Sequence, residues 1–131
     1  MERTPILYDA DCGLCKALLA GVLLWDRSEK LRPVPIVGSE GSRLLAGMEE
    51  DRRLASCHLV PPGDAPLSAG AAVAPLLRDL PGGAPLAAAA ARLPTATSRS
   101  YEWVAANRSR LSRLVPGAAK RRADELIARR R

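Results

Sequence analysis

Phenylalanine is missing from the 131 residues altogether, and Trp and Tyr contribute two residues each, so aromatics make up only 3% of the chain. A core without Phe must be built from Leu, Val and Ala, and it packs lightly wherever Ala dominates. Cysteine occurs only three times. In a reducing compartment three thiols are no disulfide framework, so a close pair among them points to catalysis or metal binding. Long apolar runs are also lacking: the longest, residues 17–25, falls far short of the roughly 20 residues that span a bilayer. Met1-Glu2-Arg3-Thr4 leads directly into a strand-like run with no secretory leader. These absences predict a soluble cytoplasmic protein that makes no use of a membrane.

Apolar residues make up 47% and charged residues 26%, a globular composition at a length suited to one domain with a real core. The net charge of +6 is unevenly spread. Residues 1–98 carry ten basic and eleven acidic side chains, whereas residues 99–131 carry ten basic and only three acidic ones. Such a basic C-terminal third suits either an acidic partner or a solvated Arg-rich helix surface. No stacking pattern of aromatic and basic residues accompanies it, so nucleic acid is not the expected partner.

Read in order, Pro5-Ile6-Leu7-Tyr8 is a short buried strand. From Gly13 to about Arg27, Leu14, Leu18, Leu19, Val22, Leu23 and Trp25 recur at helical spacing. Residues 31–37 form a second extended run in which Pro33 and Pro35 each remove a ladder donor, which predicts an edge strand. Ser39 is the expected cap of a short helix running to about Glu50, followed by a charged surface connection. Residues 56–60 read as a strand that turns through Pro61-Pro62-Gly63-Asp64-Ala65-Pro66 onto Leu67-Ser68. A helix over residues 70–80 stops at Pro81-Gly82-Gly83, and an Ala-rich helix follows from Pro85 until Pro94 halts it. A cap at Thr97 or Ser98 starts a further helix to about Leu114, with Tyr101 and Trp103 anchoring it to the sheet. Residues 116–131 are left as a basic helix or tail beyond a domain of residues 1–115. The order is β, α, β, α, β, β, α and then helices: an α/β, thioredoxin-like plan, in which a βαβ unit is followed by a hairpin and a helix.

Cys12-Gly13-Leu14-Cys15 falls after the first strand, at the start of the first helix. Dithiol exchange needs one thiolate to attack and a second thiol near enough to resolve the mixed disulfide. The helix start offers unpaired N–H groups and a favourable dipole to a thiolate at Cys12. Cys12 is therefore the expected nucleophile, and Cys15, one turn on and more buried, the resolving thiol. Lys16 would add positive charge, while Asp9 and Asp11 oppose the thiolate; one of these carboxylates could take the proton of Cys15 during resolution. A zinc site is the competing use of a Cys-x-x-Cys pair, but only Cys57 and His58 remain as further ligands. As neighbours on a strand they face opposite ways, which makes one metal awkward for both. Cys57 then reads as a small buried hydrophobe and His58 as an ordinary surface or satisfied polar residue. A non-catalytic redox sensor with a basic tail is the other alternative.

At Tyr8-Asp9-Ala10-Asp11-Cys12-Gly13-Leu14-Cys15 the chain resembles the DCC family of predicted thiol-disulfide oxidoreductases, whose Asp-x-x-Cys-x-x-Cys signature is matched by Asp9, Cys12 and Cys15. Ser68-Ala69-Gly70-Ala71-Ala72 is similar to that family's small-residue approach to a helix, and Tyr101-Glu102-Trp103-Val104-Ala105-Ala106-Asn107-Arg108 to its C-terminal segment. The resemblance covers residues 5 to about 110. It implies a thioredoxin-like fold, a redox-active dithiol and no organic cofactor, but no substrate; protein or small-molecule thiols and disulfides are the partners expected of the dithiol itself. One departure from thioredoxins stands out: Leu54-Ala55-Ser56, before the expected third strand, holds no proline where they place a cis-proline.

Overall fold

Burial along the first strand sets the two faces of the sheet. In a computed structural model that describes residues 3–131, β1 (Thr4–Tyr8) sends Ile6 and Tyr8 into the larger core cluster and Leu7 into the smaller one, the alternation a pleated strand imposes. Met1 and Glu2, on which part of the leader reading rests, lie outside the described residues. β2 (Leu31–Pro35) runs parallel to β1, with Thr4 opposite Leu31 and Tyr8 opposite Pro35. On its other side β1 pairs antiparallel with β3 (His58–Leu59), which pairs antiparallel with β4 (Leu67–Ser68). The sheet order is β2-β1-β3-β4. Both prolines of β2 sit on an edge strand, where a missing donor is tolerated.

Eight helices surround the sheet among the described residues: α1 (Gly13–Trp25), α2 (Ser39–Leu44), α3 (Glu50–Arg53), α4 (Gly70–Asp79), α5 (Ala84–Arg92), α6 (Pro94–Ala106), α7 (Arg108–Leu114) and α8 (Gly117–Arg130). The α1 crossover between parallel strands, the β3–β4 hairpin and the following α4 make the fold thioredoxin-like, as the element order predicts. None of these helices is long and apolar enough to cross a membrane.

Local details depart from expectation for identifiable reasons. Ser39 is the first helical residue and caps nothing. The position before it is Gly38, with φ of 146° and no side-chain cap. Gly41 must be glycine, because a Cβ there would lie 2.2 Å from the Ile36 carbonyl oxygen; α2 folds back directly onto the end of β2. The helix expected to reach Glu50 instead breaks after Leu44, and the charged connection supplies the single turn α3. The third strand shrinks to two residues, and α6 begins at Pro94 rather than at Thr97 or Ser98, since proline suits a first helical turn. Trp103 is no anchor: it is 61% exposed.

The larger core joins Ile6, Tyr8, Leu31 and Leu59 of the sheet to Leu19 and Leu23 of α1, Ala72 of α4 and Ile127 of α8. Leu7, Val34, Ile36 and Leu45 fill the opposite face. Burying such aliphatic side chains contributes about 1.5–3 kcal/mol each.

One ion pair ties the last helix to the crossover. The Asp26 carboxylate has no exposed surface; it accepts the N–H groups of Lys30 at 3.1 Å and Leu31 at 2.9 Å, and the Arg130 guanidinium at 2.7 Å. The same Arg130 Nη2 donates to the Asp26 carbonyl at 2.9 Å. Removing one partner of such a pair strands a buried charge, so Arg130→Ala is expected to destabilise the fold by about 3–5 kcal/mol, read from the shift in a urea unfolding curve.

Candidate active site

The strand β1 delivers the chain to the edge of the sheet, and a turn closed by the Cys12 N–H donating to the Asp9 carbonyl at 3.2 Å starts α1. Cys12 is the N-cap, with extended backbone, and its sulfur accepts the Cys15 N–H at 3.3 Å. A helix start normally places an oxygen there to satisfy an orphan donor. Here a thiol does so, at the positive end of the helix dipole. The two thiols are both free, with the Cys15 S–H directed at the Cys12 Sγ over 2.6 Å. The structure therefore brings Cys12 and Cys15 together at the helix start, as their spacing predicts.

The order of burial is the reverse of expectation. Cys12 is buried, with 8% exposure, whereas Cys15 is half-buried. The cover over Cys12 comes from distant parts of the chain. Ser112 of α7 accepts the Leu14 N–H at 3.0 Å and lies 3.9 Å from the Cys12 sulfur. Lys120 of α8 stands over Gly13, where a Cβ would meet its Cε at 2.7 Å and its ammonium at 3.2 Å. Lys16 does not serve the thiols as expected, because its ammonium pairs with Asp124 of α8 at 2.9 Å.

Asp9 is likewise committed. One carboxylate oxygen accepts the Asp11 N–H at 3.0 Å and the other lies 3.8 Å from the Arg108 guanidinium, which also donates to the Leu54 carbonyl. Burial pushes the Cys15 thiol up to about 12, helped by the hydrogen bond to Cys12 and by the charge Cys12 would carry; Arg108 opposes this and Asp9 adds the smallest part. Asp9, one of the two carboxylates expected to oppose the thiolate, is thus the smallest of the influences on Cys15.

Beyond Cys15 lies an apolar cavity of about 200 Å³, with Leu14, Leu18, Val22 and Val104 among its walls. Asp9, Cys15, Cys57, Tyr101 and Arg108 also line it. Tyr101 receives the Cys57 N–H at 2.9 Å and donates its hydroxyl to the Cys57 sulfur at 3.3 Å. Burial raises the titration of both groups. Tyr101 thus anchors α6, as its size suggested, whereas Arg108 pairs across the fold rather than locally. Among the described residues no three His, Cys, Asp or Glu side chains gather as a metal site; nor is there a cis peptide bond.

Residues 6–114 match the family described as DCC1-like thiol-disulfide oxidoreductase. The chain belongs to that family. No curated protein and no solved structure gives a significant match. The family match starts in β1 and ends with α7, so it includes the dithiol, Arg108 and Ser112 but not α8. In this DCC1-like chain Ser112 and Lys120 escaped the sequence reading because nothing local marks them: they meet the Cys pair across about a hundred positions.

His58 proves to be a satisfied polar residue. It is buried, with one ring nitrogen 2.7 Å from the Ser68 hydroxyl and the other 2.8 Å from the Arg53 carbonyl. Burial lowers its pKa, the Arg53 carbonyl opposes this, and the Arg52 charge adds to the lowering. Below about pH 6.5 the unfolded chain therefore binds a proton that the folded chain resists. The contribution of His58 is fully present above that pH and is lost as pH falls through the unfolded value toward the folded one. Urea midpoints measured between pH 7.5 and 5.5 are expected to fall with pH, and to fall less steeply in His58→Gln.

Proposed function

We propose that this chain is a thiol-disulfide oxidoreductase in which Cys12 attacks and Cys15 resolves, acting on protein or small-molecule disulfides. The observation that carries this reading is the Cys12 sulfur at the cap of α1, with the Cys15 thiol 2.6 Å away. Family membership supports the reaction class. The placement of the two thiols supports the division of labour: the Cys12 sulfur accepts the Cys15 N–H at the helix start, and Cys15, pushed up to about 12, keeps its proton until resolution.

In the reductive direction the Cys12 thiolate attacks one sulfur of the substrate, a Cys12–substrate bond forms, the substrate S–S bond breaks, and the departing thiolate takes a proton from water. Cys15 then gives up its proton and attacks the Cys12 sulfur, so that the Cys12–Cys15 bond forms and the second substrate thiol leaves. The substrate gains two electrons and the dithiol loses two. A thiol reductant restores the dithiol. Asp9 is assigned as the acceptor of the Cys15 proton. It lines the same cavity as Cys15, with the Arg108 guanidinium 3.8 Å away at the edge of that space.

The test is turnover of a small disulfide by the purified protein with dithiothreitol as reductant. Cys12→Ser is expected to fall to background. Mixed with the disulfide before any dithiothreitol is added, Cys15→Ser is expected to stop at a mixed disulfide on Cys12, visible as a mass increase, and Asp9→Asn is expected to slow resolution about a hundredfold. Unchanged turnover in both cysteine variants would overturn the assignment.

A further inference from the structure

Ser112 lies 98 positions from Leu14 and 100 from Cys12, yet its hydroxyl oxygen meets both. A hydroxyl has one hydrogen to give and two lone pairs to receive with. The oxygen already accepts the Leu14 N–H at 3.0 Å. Its hydrogen remains for the Cys12 sulfur, 3.9 Å away. The Cys15 N–H reaches that sulfur at 3.3 Å. Cys12 thus faces three donors, the N–H and S–H of Cys15 from its own helix and the Ser112 hydroxyl from α7.

We infer that Ser112 is a further catalytic residue, its hydroxyl donating to the Cys12 sulfur when that sulfur carries the negative charge of attack or of departure. This rests on the dithiol reading above. In the forward direction the hydroxyl supports the attacking Cys12 thiolate. In the reverse direction a substrate thiolate first displaces Cys15 from Cys12, and the hydroxyl then supports Cys12 as the sulfur that leaves when the second substrate thiolate attacks the Cys12–substrate bond. The Leu14 N–H strengthens the effect by polarising the hydroxyl it donates to, as hydrogen bonds in series do. The same contact explains why the reactive sulfur is the covered one: α7 must approach this closely for the hydroxyl to reach it. A purely structural role would be to pin α7 to the first turn of α1, and the two roles predict different behaviour.

The experiment follows iodoacetamide alkylation of Cys12 in the full-length chain against pH, with the site located by peptide mass mapping. Ser112→Ala is expected to move the midpoint of the Cys12 profile upward and to slow alkylation about tenfold below it, the factor expected of one lost hydrogen bond to a charged group. Ser112→Thr, which keeps the hydroxyl, is expected to restore the native midpoint. Asp124→Asn, which loosens α8 from Lys16 but leaves the Ser112 hydroxyl in place, is expected to leave it unmoved. A Ser112→Ala profile that superimposes on the native one overturns the inference, as does an equal shift in Asp124→Asn. Disulfide turnover by the native chain keeps the two readings apart. Absent turnover with a shifted profile removes the oxidoreductase reading and leaves the Ser112–thiolate contact standing, whereas normal turnover with an unshifted profile does the reverse.

Discussion

A sulfur caps the first helix, and the rest of the site follows from that substitution of a thiol for the usual oxygen. The Cys15 N–H needs an acceptor whether or not any chemistry takes place, and Cys12 supplies it. The atom that satisfies the backbone is therefore the atom placed to carry negative charge. β1 fixes where the cap stands, because it is paired along both edges and runs directly into the turn before α1. The neighbouring Leu14 N–H is met by Ser112, so two orphan donors of one helical turn are answered by groups a hundred residues apart.

Charge around the dithiol is mostly paired with itself. Lys16 is matched to Asp124 and Asp9 to Arg108, and Lys120 leans over Gly13. The Cys15 thiol is raised first by desolvation and next by its hydrogen bond to Cys12, while Arg108 and Asp9 act on it in opposite directions and count for less.

How much of this could be read from the sequence depended on distance along the chain. The strand–helix junction, the edge placement of Pro33 and Pro35, the hairpin onto Leu67-Ser68 and the position of Cys12 and Cys15 were legible, because periodicity and turn chemistry act over a few residues. The N-cap at Ser39 failed on backbone geometry that only Gly38 can adopt. Trp103 was misplaced because size suggests burial and cannot say which face of a helix is covered. The reversed burial of the two cysteines, the diversion of Lys16, and the reach of Arg108 and Ser112 were not legible. Each depends on α7 and α8 returning to the first helix, and no local pattern encodes that return.

The buried Asp26 carboxylate bears on how the chain assembles. Strand, helix and parallel strand form the most local part of the fold, and such a unit would ordinarily close early. Here the turn between α1 and β2 encloses a carboxylate whose guanidinium stands 104 positions later. The early unit must keep that turn open to water until α8 docks, so a nucleus of adjacent segments is completed by one of the most distant contacts in the chain. A contact that forms after the folding barrier slows unfolding without hastening folding. The basic C-terminal helix would then set how long the dithiol centre persists rather than how quickly it forms.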